Sequence, residues 1–207
     1  MPDGAPTDPF PSCESKAGAI LTQARCAFVE KGFNGASMQD LARAAGMSAG
    51  NFYRYFPSKA AIVEALIARD LAEIEAHFQS VVASPDPVGA LKAALRERLV
   101  EKCKSDDTLW AEIAATAMRR PEVAAIHNRI EDTIARRVAE VIAVAGGVPA
   151  SEAEARFGVH ARMTYIIMHG ALSSNLGRAP NNDALHDLLI RTVEQVIDDA
   201  LAHAKDH

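Results

Sequence analysis

Two short helices meeting at a glycine constrain this chain more than any other feature. The stretch SMQDLARAAG opens at Ser37, carries Asp40 three residues later in a capping-box pattern, and ends at Gly46. MSAGNFYRYFP follows, in which Ser48 can cap a second helix and Pro57 stops it. Gly46 supplies the positive backbone dihedral that such a turn requires. Leu41, Ala42, Met47, Phe52 and Phe56 can form a small core shared with the preceding helix. That helix, AILTQARCAFVEKG, places Ile20, Ala24, Ala27 and Phe28 on one stripe and stops at Gly32. A helix serving only this core would not carry Gly50 in its first turn, where glycine costs about 1 kcal/mol relative to alanine. Nor would it leave Tyr53 and Tyr55 so close to its exposed end.

Behind this pair the chain reads as one helix after another. A long helix is expected from Lys59 to about residue 83, and another beyond Pro87 to about 103. A short helix at 108–118 precedes one that begins at Pro121, a favoured first helical position, and stops at Gly146-Gly147. SEAE at 151–154 is a second capping-box pattern, opening a helix to about residue 176, and the last helix spans 183–204. With 49% hydrophobic residues, alanine dominant and few Val/Ile/Thr runs, the composition agrees with an all-α fold of about nine helices. The expected organisation is a disordered tail over 1–14, with four prolines in its first eleven residues, a helix-turn-helix domain over 15–60, and a larger helical domain over 61–207.

Several classes of function are disfavoured. No run approaches the roughly 20 apolar residues that span a bilayer, so no membrane partner is expected. The first residues lack the basic-then-apolar order of a secretory signal. Cys13, Cys26 and Cys103 are odd in number and widely spaced, which suits neither disulfides nor zinc and makes the cytoplasm the expected location. His203 and His207 have the spacing of a metal pair but no third ligand, so no metal and no cofactor is expected. G-x-S-x-G, H-E-x-x-H, phosphate-loop and dinucleotide fingerprints are all missing, so the chain does not read as an enzyme. The net charge is −5, but residues 1–60 carry net +1 and residues 61–207 net −6. An acidic body with a mildly basic N-terminal unit fits contact with a polyanion at one end only.

In a helix-turn-helix the second helix enters the DNA major groove with its N-terminal residues leading. Gly50 then allows close backbone approach, Asn51 suits an adenine edge, and the tyrosine hydroxyls and Lys59 suit phosphate oxygens. The run GASMQDLARAAGMSAGNFYRYFPSKAAIVEAL, with AILTQARCAFVEKGF before it, resembles the TetR family of bacterial transcriptional regulators over roughly residues 18–67. The resemblance implies that Ser37 stands at a phosphate-binding position and that Gln39 lies where groove contacts are common. It matches Ala49, Gly50, Asn51, Tyr53 and Tyr55 to the recognition helix, with Ser48 at its head, and Lys59 to a phosphate-binding lysine. Asn51 departs from the family's usual small or hydroxyl residue, which leaves the operator preference open.

For the larger domain the resemblance implies ligand binding and dimerisation, the last two helices of each subunit forming a four-helix bundle. Ile166, Gly170 and Ser174 on the first of these, with Leu189, Val193 and Val196 on the second, are the interface candidates. Phe78, Trp110, Met118, Tyr165, Met168 and His169 are the candidates for lining a pocket. His127, on the stripe of Val123, Ile130 and Ile134, reads as a hydrogen-bonded core histidine. The expected protein is a homodimeric repressor on a palindromic double-stranded DNA operator, released by an unknown, moderately apolar small molecule. The alternative keeps the fold and the DNA but assigns control to a protein partner or to no ligand.

Overall fold

The computed structural model describes residues 16–104, 109–173 and 183–205, with the backbone alone at 101–104, 110 and 205. The expected tail at 1–14, Ser174 and the side chain of Trp110 lie outside the described residues. Among those described there are nine α-helices: α1 (Lys16–Lys31), α2 (Met38–Ala44), α3 (Ala49–Tyr55), α4 (Lys59–Val82), α5 (Pro87–Lys104), α6 (Leu109–Ala117), α7 (Pro121–Ala145), α8 (Ala153–Ser173) and α9 (Asp183–Lys205). A single 3-10 turn, Ala150–Glu152, precedes α8.

Local chemistry sets these ends. Ser37 and Asp40 form the capping box of α2, and the Ser48 hydroxyl accepts the Asn51 N–H at the head of α3. Pro121 is the first residue of α7. Gly46 has φ +65°, as the turn between α2 and α3 requires, and a β-carbon there would meet no atom within 4 Å. Gly46→Ala should therefore lower stability by about 1–2 kcal/mol through backbone strain alone, read as a shift of the urea midpoint at constant m-value.

The chain divides into two compact units. The first holds α1, α2, α3, α4 as far as Glu73, and Glu112–His127. Leu21, Phe28, Phe33, Leu41, Phe52, Ile62, Leu66 and Ile113 are among its fully buried side chains. Phe52 and Phe56 lie with ring centroids 5.8 Å apart, and Phe28 and Phe33 5.4 Å apart. Met47, expected in this core, is only half-buried. Compactness thus follows α4 past residue 60 and adds a segment from much later in the chain, whereas the 60/61 boundary separates expected roles.

The second unit holds Ile74–Ala111 and the chain from Asn128 onward. Its core joins Phe78 of α4, Leu91 and Leu99 of α5, Val138 and Ile142 of α7, Phe157 and Met168 of α8, and Val193 and Ile197 of α9. α8 packs most extensively on α9, and α5 packs on both. Arg137 bridges Glu75 of α4 and Glu140 of its own helix, and Arg162 reaches Asp132 at 3.0 Å. Such half-exposed pairs contribute about 0–1 kcal/mol each, so the apolar core carries the fold.

Candidate nucleic-acid interface

The exposed side of α2 and α3 holds most of the residues singled out for DNA. Gln39, Ser48, Ala49, Gly50, Tyr53 and Tyr55 are exposed, Tyr53 to 46%, and Asn51 is half-buried. Arg43 and Arg54 are exposed beside them, which gives this face a positive balance. A β-carbon at Gly50 would meet nothing within 4 Å, and its φ lies outside the positive region. Nothing in the fold requires glycine at position 50.

Ser37 is occupied locally. Its hydroxyl accepts the Asp40 N–H at 3.1 Å and donates to Asp40 Oδ2, which also accepts the Ser37 N–H at 3.0 Å. Lys31 Nζ, 2.7 Å from Asp40 Oδ1, is the main reason that the Asp40 carboxyl is held well below the usual carboxylate range, and the two Ser37 bonds add to this. Its negative charge at the start of α2 is matched by Lys31 and, at 3.7 Å, by Arg43.

Lys59 has partners within the protomer that the sequence did not lead one to expect. An ammonium has three donors. Those of Lys59 reach the carbonyls of Phe33, Asn34 and Ala36, at 2.8, 3.3 and 3.0 Å. The nitrogen also lies 5.1 Å from the centroid of the Phe33 ring. Burial, and then the charge of Arg120, depress its pKa from the ordinary lysine value. The expected phosphate ligand is therefore engaged with the loop between α1 and α2. Glu112 holds the same loop and escaped sequence reasoning, since its carboxylate accepts the Phe33 N–H from 79 positions away. No local pattern marks such a partner.

In the second unit the interface candidates separate. Ile166 is 57% exposed, and Gly170 is exposed with open space around a notional β-carbon. Val193, by contrast, is 2% exposed within the protomer's own core, with Leu189 packed against that core, because this flank of α9 faces inward. Val196 is half-buried. The outward apolar positions are Val159, Met163, Ile166 and Gly170 on α8 and Leu185, Leu188 and Val196 on α9, all at helical spacing. Val159 at 81% and Met163 at 49% exposure extend this outward row on α8 beyond the positions expected from the sequence.

The pocket candidates separate as well. Phe78, Tyr165 and Met168 are buried, and Tyr165 stacks on His169 at 5.4 Å, with Ser173 Oγ 3.4 Å from His169 Nε2. Burial, with a smaller contribution from Glu131, pushes the Tyr165 hydroxyl up to about 12. Beside it, the Thr164 hydroxyl is buried without a hydrogen-bond partner among the described residues. Met118 is 89% exposed, in the turn that Pro121 terminates, and belongs to the first unit. It is not part of an enclosed lining. No group of three or more metal-ligating side chains occurs among the described residues, and no described helix is long and apolar enough to cross a membrane.

Residues 20–66 match the family model described as bacterial regulatory proteins, tetR family. The HTH-type transcriptional regulator UidR of Escherichia coli (strain K12) is 32% identical over 123 residues, 58% of this chain and 62% of UidR. The match therefore spans less than two thirds of that relative's length. The HTH-type transcriptional regulator EthR of Mycolicibacterium smegmatis is 36% identical over 87 residues, 41% of this chain and 40% of EthR. Among solved structures, Salmonella enterica GusR superposes with a TM-score of 0.69 at 25% identity, covering 92% of this chain and all of GusR. Over residues 20–66 the chain thus matches the tetR family of bacterial regulatory proteins, and the likeness to UidR and GusR extends past that segment.

Proposed function

We propose that this protein is a dimeric, DNA-binding transcriptional repressor that reads a palindromic operator with α3. The observation that carries this reading is the outer face of α3. Gly50 stands there with open space around it, flanked by exposed Ala49, Tyr53, Arg54 and Tyr55. Glycine in the first turn of an exposed helix is unfavourable, so a requirement outside the protomer is the physical reason for keeping it. Close approach of helix backbone to a base edge or phosphate is such a requirement. The names of UidR and EthR as HTH-type transcriptional regulators support the same reading. The apolar stripes on α8 and α9 support the dimer, which would present two reading helices about 34 Å apart to successive major grooves.

Release by a small, moderately apolar effector is part of the proposal, with Tyr165, Met168 and His169 as its contacts. The Thr164 hydroxyl supports it, because a buried unpaired hydroxyl costs about 1–3 kcal/mol that a ligand's polar group would recover. The test is selection of bound fragments from randomised and genomic DNA by the purified chain, followed by footprinting. Enrichment of a two-fold symmetric site with half-sites one helical turn apart is expected. Binding without sequence preference would refute the repressor reading.

A further inference from the structure

The segment Gly32–Ala36 leads from the end of α1 to Ser37, the cap of α2, and charged side chains from two other helices hold its backbone. On one side Lys59 of α4 binds the carbonyls of Phe33, Asn34 and Ala36. The Phe33 N–H is instead taken by Glu112 Oε2 of α6. Gly32 has φ +74°, and at a helix end of this kind the next N–H commonly folds back onto the helix. A β-carbon on Gly32 would lie 3.2 Å from Glu112 Oε2, so the carboxylate occupies a notch that glycine leaves open. The Phe33 ring is buried, which fixes the residue from a third side.

We propose that Glu112 is a positioning residue for the helices that read DNA: through the Phe33 amide it fixes the α1–α2 loop against Lys59, and so sets where α2 begins. The inference rests on the reading of α2 and α3 as the DNA-binding pair. Hydrogen bonds weaken steeply with distance and angle, so a small displacement of α6 is enough to release the amide. The loop then loses its only carboxylate clamp among the described bonds and Ser37 is free to drift with it. Chemically, the task needs an acceptor at the reach of a glutamate side chain, and charge is secondary.

The experiment uses the full chain in four forms: wild type, Glu112→Gln, Glu112→Asp and Glu112→Ala. Two quantities are measured: exchange of the Phe33 amide by NMR without DNA, and affinity for the selected DNA across a salt series. Glu112→Ala should speed Phe33 exchange and weaken DNA binding by about tenfold each, with the salt slope unchanged. Glu112→Asp, which keeps the charge but shortens the reach, should move both in the same direction, and it serves as the informative variant if the alanine form does not fold. Glu112→Gln keeps an acceptor at the same reach and should stay near wild type. The proposal is overturned by unchanged Phe33 exchange in both Glu112→Ala and Glu112→Asp, by faster exchange with unaltered affinity, or by glutamine and alanine forms that bind DNA alike. Should wild type select no DNA, the DNA reading fails on its own, and the exchange measurements still decide whether Glu112 holds the loop.

Discussion

Replacing Ile166 and Leu188 together by glutamate should leave a folded monomer that has lost tight DNA binding. Both side chains are more than half exposed in the protomer, so the charges are solvated until a partner arrives. In a helix-to-helix interface they would be buried without counter-charges, and unpaired buried charges cost about 3–5 kcal/mol. Two reading heads on one body also gain from effective concentration, and losing that linkage lowers affinity by about 10²–10⁴-fold. Sedimentation should give the monomer mass, helical circular dichroism should be retained, and the selected DNA should bind at least about a hundredfold more weakly. Val193→Glu, at a position buried in the protomer's own core, should instead unfold the second unit. A dimer that survives the double substitution at wild-type affinity would place the contact elsewhere.

Lys59→Met should cost stability and leave the count of neutralised phosphates alone. Methionine keeps much of the apolar stem but offers no donor, so the carbonyls of Phe33, Asn34 and Ala36 lose their partner together. Asn34 is exposed and water can replace the ammonium there, whereas Phe33 and Ala36 are buried residues. Charge-assisted hydrogen bonds are worth about 1.5–3 kcal/mol each but do not add, so a loss of roughly 2–4 kcal/mol is expected. Thermal or urea unfolding measures it. A phosphate contact would behave differently: its removal lowers the slope of log affinity against log salt by about one ion. An unchanged melting temperature with a reduced slope would restore the lysine to the DNA.

Helix boundaries were legible because their signals are local. Ser37 with Asp40, Ser48, Pro57 and Pro121 each act within four residues of themselves, and the ends of α2 to α7 and of α9 fall within a residue or two of the expected places. The outward face of α3 was legible for the same reason, since a seven-residue helix with Phe52 inward leaves little choice for Tyr53 and Arg54. The carbonyl partners of Lys59 were not, because all three come 23 to 26 positions earlier, and an ammonium can bind either a carbonyl or a phosphate. Val193 was misread for a related reason. The apolar arc on α9 is wide enough to serve two surfaces, and the rotation of the helix, which decides which surface Val193 faces, is a property of packing.

The make-up of the first unit bears on protein engineering. A cut at residue 60, where the expected roles divide, would produce a portable reading head only if that head were self-sufficient. It is not continuous in the chain: Glu112–His127 belongs to the same compact body as α1. A fragment ending at 60 loses Glu112 from the Phe33 amide and removes Ile113 and Val123, both fully buried. A chimera grafting residues 1–60 onto a foreign regulator would inherit whatever side chain that scaffold carries opposite Gly32. Sensor swaps should therefore transplant 112–127 along with the N-terminal helices, and grafts that omit it should express as poorly folded hybrids.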